Sequence, residues 1–149
     1  MSLALPRAAL LLQLGTTLPL VGLIWVVQIV AYPLFARVGA AAFPAYHEAH
    51  ARLITFVVAP LMVLELAGAL VGATTVDPAM PRGAAWLGAA LVVTVWLVTF
   101  FGSVPQHAAL ARGFDIRAHG VLVATNWLRT AAWTLRGGIL VWAVARALP

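Results

Sequence analysis

The stretch Ala51–Ala73, ARLITFVVAPLMVLELAGALVGA, decides the fold of this chain because it is long enough and apolar enough to cross a membrane. A membrane-crossing helix needs about 20 predominantly apolar residues. Apart from Arg52 near its start, the stretch carries a single charged residue, Glu65, deep inside it. The sequence therefore predicts a spanning helix with a carboxylate at membrane depth, where ionisable groups are costly and mark functional sites.

Three further apolar stretches predict three more spans, at about residues 8–32, 84–101 and 121–145. The connections between the spans are short, so residues 1–149 are expected to form a single transmembrane domain. The predicted fold class is all-α, an integral membrane four-helix bundle that runs up, down, up and down. Turn signals support these limits, since Pro33 is expected to end the first helix, and Pro105 with residues 113–115 (Gly-Phe-Asp) to close the third.

Composition narrows the class of protein further. The chain is 64% hydrophobic and 9% charged, and its formal net charge of +5 comes from single, scattered arginines. A nucleic-acid surface needs a contiguous basic patch, so nucleic acid is excluded as a partner. The absence of cysteine excludes disulfides and thiolate ligands. The expected setting is a cell membrane, the bacterial inner membrane, with the lipid bilayer and a lipophilic small molecule as partners and homo-oligomerisation left open.

All four histidines fall on the same side of the membrane if each span crosses once. His47 and His50 precede the second span, and His107 and His119 lie between the third and the fourth. The pair His47 and His50 has the i, i+3 spacing of residues on one helix face, so it could hold one metal ion. The four histidines are the candidate metal ligands, and the cofactor could be a transition metal or haem. Interfacial or solvated histidines are the alternative interpretation.

The fourth span carries a polar stripe. At about 100° per residue along a helix, one face of this span holds Asn126, Arg129, Trp133 and Arg136. On the second helix, His47, His50 and Glu65 share one face if the helix begins near Pro44.

Depth along the helices predicts which charges meet. Glu65 and Arg136 lie at similar depths, so they are expected to form an intramembrane ion pair, which either joins two helices or takes part in function. Arg129 has no carboxylate at its own depth. It is therefore expected to face a polar cavity, a histidine, a carbonyl or an anionic ligand.

These residues predict a polar pocket that opens toward the histidine side of the membrane. Arg129 and Asn126 would polarise a carbonyl or stabilise a developing enolate or phenolate. His50 or His47 would act as general base, since imidazole exchanges protons near neutral pH. The remaining candidates are predicted to line the ligand site: Gln28, Glu65, Arg136 and Trp133.

Three segments resemble a widespread group of small, uncharacterised four-span bacterial membrane proteins. They are Ala31–Phe35 (AYPLF), Phe43–His50 (FPAYHEAH) and Asn126–Thr130 (NWLRT). The Asn-x-x-Arg pattern of the last segment is similar to that of the anthrone-oxygenase-like membrane family. This resemblance implies oxidation of an aromatic substrate.

A more distant resemblance is to the bacterial membrane protoporphyrinogen oxidase. Pro60–Met62 followed by Gly68 is similar to its second helix, and Asn126 with its neighbours to its last. This resemblance implies a haem-linked four-span protein. The first span of this chain contains no histidine to match the one expected there.

Three functions therefore stand as alternatives. The first is a membrane-embedded oxidoreductase or oxygenase that acts on a lipophilic aromatic or quinone-like substrate. The second is a small transporter or proton-coupled channel subunit with Glu65 and Arg136 as its gate or relay. The third is a structural or accessory membrane protein in which the polar groups serve assembly alone.

Overall fold

The computed structural model of the protein describes residues 4–75 and 77–148, and over these ranges the regular structure is helical. The four long helices found there are α1 (Ala4–Phe35), α2 (Phe43–Thr74), α3 (Arg82–Leu110) and α4 (Ile116–Ala147). Three of them, α1 to α3, are long and apolar enough to cross a membrane, which indicates a membrane protein.

The fourth helix, α4, has less apolar character because it carries the polar stripe. Its polar side chains point inward, since Asn126, Arg129 and Arg136 are all buried. On its outer face, Leu128 is 57% exposed and Leu135 is 62% exposed. The predicted span at 121–145 thus lies within a longer helix that is polar toward its neighbours and apolar toward its surroundings.

Two helices extend beyond their predicted spans. Pro33 does not end α1, which continues to Phe35. Helix α3 passes Pro105 and ends at Leu110, before the predicted turn at residues 113–115. Each of these prolines follows a π-helical segment. A proline removes one backbone donor from a helix, and a local π turn is one of the adjustments by which the chain accommodates that loss and remains helical.

The two π segments are Val27–Ala31 in α1 and Val98–Ser103 in α3. In the first, the Tyr32 N–H donates to the carbonyl of Val27, five residues back. In the second, the Val104 N–H donates to the carbonyl of Thr99 in the same way. The wider turn shifts the face on which later residues lie, so α1 and α3 carry their last turns in a register that α-helical spacing alone does not predict.

The other helix ends follow ordinary rules. Phe43 and Pro44 begin α2, and proline is well suited to a first helical turn because its missing N–H would have no partner there. This start places His47 in the helix proper. Asp115 caps α4, where its Oδ1 accepts the Ala118 N–H at 2.7 Å.

The helices pack in the order of a closed ring. Contacts join α1 to α2, α2 to α3, α3 to α4, and α4 back to α1. Helices α2 and α4 therefore face each other across the centre. Apolar side chains fill the histidine side of this interior, around Phe35, Phe43 and Leu122. Toward the other end, buried polar groups lie between smaller apolar clusters, such as the one around Leu10 and Leu140. The outer surface is apolar, with Phe56 81% exposed and Phe101 78% exposed.

Candidate functional site

An ion-pair cluster occupies the centre of the helices, made of Gln13, Thr17, Glu65, Trp133 and Arg136. Arg136 Nε donates to Glu65 Oε1 at 3.0 Å, as the depth argument predicted. Thr17 Oγ1 donates to the same oxygen at 2.6 Å, and Trp133 Nε1 donates to Oε2 at 2.9 Å. Both oxygens of the Glu65 carboxylate are thus paired inside the protein.

The Arg136 side of this cluster is equally well satisfied. Its Nη2 donates to Gln13 Oε1 at 2.9 Å, and Gln13 Nε2 donates in turn to the Ala9 carbonyl. Glycine makes room for these long side chains. A Cβ at Gly88 would lie 2.8 Å from Arg136 Nη1, and one at Gly72 would lie 2.5 Å from Gln13 Nε2. The cluster is a closed arrangement that fixes α1, α2 and α4 to one another.

A second group, the amide–guanidinium cluster, lies nearer the histidine side and consists of Gln28, Ser103, Asn126 and Arg129. Asn126 Nδ2 donates to Gln28 Oε1 at 2.7 Å. Arg129 Nη1 donates to Asn126 Oδ1 at 3.2 Å and to Ser103 Oγ at 3.4 Å. The two π segments supply Gln28 and Ser103, so the irregular turns bring α1 and α3 polar groups to α4.

Arg129 differs from Arg136 in its partners, which are all uncharged. Its guanidinium carbon lies 5.1 Å from the centre of the Trp133 ring, a cation–π contact. Its Nε is buried and has no hydrogen-bond partner among the described residues. Arg129 is only 7% exposed, so little water can solvate its charge in place of a carboxylate. A buried cation is left with spare donor capacity.

A third group, the histidine–tyrosine chain, joins His47, His107 and Tyr32. His47 Nε2 and His107 Nδ1 are 3.0 Å apart, and His107 Nε2 lies 3.1 Å from the Tyr32 hydroxyl. Two proton arrangements satisfy these contacts: either each group donates toward His47, or each donates toward Tyr32. A change from one arrangement to the other reverses both hydrogen bonds, so the donating end of the histidine–tyrosine chain changes between Tyr32 and His47.

The other two histidines lie outside this chain. His119 Nε2 donates to the Tyr32 carbonyl at 2.7 Å, which satisfies a carbonyl in the last turn of α1. His50 is half-buried, and its ring packs edge-on against Phe35 with ring centres 4.9 Å apart. His50, which was predicted as a general base, therefore lies next to the histidine–tyrosine chain but outside it. His107 occupies the position within that chain that was expected for a general base.

The structure does not gather the histidines as metal ligands. Within residues 4–75 and 77–148, no group of three or more histidine or acidic side chains is placed to hold a metal ion. Both nitrogens of His107 are already in contact with His47 and Tyr32, and His119 Nε2 is committed to a carbonyl. The residues predicted as metal or haem ligands do not fit that role in this arrangement.

A cavity of about 270 Å³ lies beside the amide–guanidinium cluster. Side chains from all four helices line it, and most are apolar, such as Ile24 and Met62. Its polar groups are few and include Tyr32, His107 and Arg129. The cavity therefore combines an apolar body with a polar end at which the second and third groups meet.

Two helices leave this cavity open at the side. Thr55 and Ala59 of α2 line it and are exposed, as are Phe100 and Val104 of α3. In a membrane this opening would face the lipid acyl chains. A lipophilic molecule could therefore enter sideways between α2 and α3.

The sequence named most of the polar residues but not their grouping. Of the predicted neighbours Gln28, His50, Asn126 and Arg129, the structure joins all but His50 by hydrogen bonds. His50 packs on Phe35 instead. Trp133 links Arg129 to Glu65. The residue that sequence reasoning missed is Tyr32, which contacts His107. Its signal was its position just before Pro33 in an apolar helix, where a polar hydroxyl lies next to an expected break in helical regularity.

Comparison with protein-family models, with curated proteins and with solved structures finds no match to this chain.

Proposed function

We propose that the chain is a multi-pass protein of the cell membrane in which all four helices span the bilayer as a four-helix bundle. Helix α4 supports this proposal through the way its residues are divided. Its arginines Arg129 and Arg136 are buried against the other helices, whereas Leu128 and Leu135 are exposed. Membrane proteins keep ionisable residues toward the interior in this manner, and apolar side chains face lipid.

We propose further that the cavity binds a lipophilic aromatic or quinone-like molecule. The main observation in support is the combination of an apolar cavity with a buried arginine, Arg129, whose Nε lacks a hydrogen-bond partner among the described residues. Ligand sites are mostly apolar with a small number of polar groups that fix orientation. The opening between α2 and α3 offers such a molecule a route from the bilayer.

The chemistry that this site supports best is acid–base and electrostatic. Arg129, held by Asn126 and Ser103, would bind a ligand oxygen and stabilise negative charge on it. Tyr32 would exchange a proton with the same region of the ligand, and His107 and His47 would pass that proton on. In an oxidoreductase or oxygenase these residues would orient the ring and move protons, and a separate reactant would carry the electrons.

The resemblance to the anthrone-oxygenase-like membrane family supports an aromatic ligand. It rests on Asn126 and Arg129, and these two side chains are in direct contact through Arg129 Nη1 and Asn126 Oδ1. A metal or haem is not part of the proposal, because the histidines are engaged with one another, with Tyr32 and with Phe35.

Ligand binding can be tested with 1,4-naphthoquinone and the protein in lipid nanodiscs. Trp96 and Trp133 line the cavity, so a bound quinone is expected to quench tryptophan fluorescence in a saturable manner. The variant Val58→Phe should block the cavity, which Val58 lines, and weaken binding at least about tenfold. The control is Val57→Phe, one residue along, where the side chain is 49% exposed and lies outside the cavity.

Saturable quenching that Val58→Phe removes and Val57→Phe preserves would support the proposal. Quenching that rises linearly with quinone, as in empty nanodiscs mixed with free tryptophan, would contradict it. Equal effects of the two variants would also contradict it, since the site would then not be this cavity.

A further inference from the structure

We propose that the cavity binds its ligand as an anion, through an aromatic carboxylate or phenolate whose oxygen is held by Arg129. This inference rests on the proposed function, in that it takes the cavity to be a ligand site. It narrows the ligand class from neutral carbonyl compounds and quinones to lipophilic aromatic acids.

Arg129 is a buried cation without a carboxylate partner in the part of the chain that the structure describes. Among the described residues, the ion pair of Glu65 and Arg136 is the one salt bridge between side chains, and it is closed on both sides. Both Glu65 oxygens accept hydrogen bonds from other residues, and neither contacts Arg129. Arg129 contacts Asn126, Ser103 and the Trp133 ring and lies beside the Tyr32 hydroxyl, and none of these groups is a carboxylate. The polar end of the cavity thus holds one uncompensated positive charge.

Burying the Arg129 charge without a counter-ion has a free-energy cost. A buried ion without a counter-ion is strongly unfavourable, whereas a paired one is tolerated. Water reaches Arg129 poorly, because the side chain is 7% exposed and the cavity around it is mostly apolar. A neutral ligand would leave the charge uncompensated and displace whatever water the cavity holds. An anionic ligand supplies the missing counter-charge.

Residues around the cavity also carry hydrogen-bond donors that have no partner within the described ranges. Arg129 Nε and Trp96 Nε1 are both buried and without partners among the described residues, and both side chains line the cavity. Both groups donate and cannot accept. Two donors without partners, on residues that line one cavity, favour a ligand that presents acceptor oxygens, as a carboxylate or phenolate does.

The size of the cavity limits the rest of the ligand. At about 270 Å³ it falls just below the range of roughly 300–1,000 Å³ typical of ligand pockets. A compact aromatic ring system of one or two rings matches that space better than a long acyl chain. Aromatic walls are available for such rings at Trp96 and Phe100.

The test compares two probes of nearly the same shape, 2-naphthoate and 2-naphthamide. Binding to the wild-type protein in zwitterionic lipid nanodiscs is measured at pH 7.5 by equilibrium dialysis, with empty nanodiscs as the blank. We expect 2-naphthoate to bind at least about tenfold more tightly, as charged hydrogen bonds exceed neutral ones. This comparison needs no variant and so does not depend on the folding of a mutant.

Variants then locate the effect. Arg129→Gln should remove the preference for 2-naphthoate, because it should weaken 2-naphthoate binding much more than 2-naphthamide binding: the glutamine amide retains donors without charge. Trp96→Phe should weaken 2-naphthoate binding by about threefold to tenfold. Arg117→Gln is the matched control, because Arg117 is an exposed arginine of the same helix, and it should change neither affinity.

The possible outcomes separate the two proposals. If both probes bind equally to wild type, the anion inference is overturned and the lipophilic site stands. If the preference for 2-naphthoate survives Arg129→Gln or is lost in Arg117→Gln, the inference is overturned because the charge responsible is elsewhere. If neither probe binds and 1,4-naphthoquinone also fails to bind, the proposed function itself has failed.

Discussion

Arg129 and Arg136 lie about two turns apart on one buried face of α4, and yet their surroundings are opposite. Arg136 donates to a carboxylate and an amide, and none of its nitrogens is both buried and without a partner among the described residues. Arg129 has neutral partners, an unpaired Nε and a cavity at its side. The difference teaches that burial of a charge does not define its role. A saturated polar group holds helices together, and an unsaturated one beside a cavity is available for a ligand.

This comparison also bears on the transport alternative. A gate or proton relay at Glu65 would need a carboxylate that can exchange partners. Glu65 is instead fixed by Thr17, Trp133 and Arg136, three donors from two helices other than its own. The structural role of this ion pair is the better supported of the two that the sequence left open.

The largest expected effect follows from breaking the ion-pair cluster. Glu65→Ala should lower the free energy of unfolding by about 3 kcal/mol or more, because it leaves the Arg136 charge buried without its partner. Thermal unfolding in detergent, followed by circular dichroism, measures this loss. Glu48→Ala removes an exposed carboxylate of the same helix and should cost less than about 0.5 kcal/mol. Similar losses for both would show that the pair is not structural.

A smaller effect should follow from crowding the same cluster. Gly88→Ala places a Cβ 2.8 Å from Arg136 Nη1, so the guanidinium must shift away from its partners. We expect a loss of about 1–2 kcal/mol in the free energy of unfolding. Gly138→Ala is the control on α4, because nothing lies within 4 Å of its added Cβ. A Gly88 variant as stable as the Gly138 variant would mean that Arg136 tolerates displacement.

The histidine–tyrosine chain should respond more weakly still. Tyr32→Phe removes the hydroxyl that contacts His107 and should cost about 1 kcal/mol, the usual value of one hydrogen bond. Nitrogen-15 NMR of the histidine rings provides a more specific readout. His107 and His47 should both change their tautomer signals, since they share one hydrogen-bonded chain. The ring of His119 bonds the Tyr32 backbone carbonyl and should keep its signal, and a change there instead would contradict the chain.

Part of this arrangement could be predicted from the sequence, and the rest could not, for physical reasons. Helix spacing and depth were sufficient to pair Glu65 with Arg136, because both lie in regular helix at similar depth. The same spacing failed near Pro33 and Pro105, where π turns change the register of α1 and α3. Tyr32 follows the first of these segments directly, and His107 lies in the helical turn after the second.

The histidines illustrate the second limit of sequence reasoning. Topology correctly gathers them at one end of the helices, but their partners depend on side-chain geometry within a few ångströms. His47 and His107 contact each other, whereas His119 turns to a backbone carbonyl and His50 packs on Phe35. Their spacing along the sequence does not show which of them contact one another, and the contact distances do.

The smallest expected change in stability comes from the residue on which the proposed ligand site depends. Arg129→Met removes a buried charge that has no counter-ion, and the gain from that removal offsets the lost contacts to Asn126 and Ser103. The free energy of unfolding should therefore stay within about 1 kcal/mol of wild type, while Arg136→Met should lose about 3 kcal/mol because it strands Glu65. Thermal unfolding of the two variants side by side tests this directly.

An Arg129 variant as unstable as its Arg136 counterpart would make both arginines structural, and the cavity would then lose the feature that assigns it a ligand. Near-wild-type stability with loss of 2-naphthoate binding would instead identify Arg129 as a residue retained for binding and not for folding.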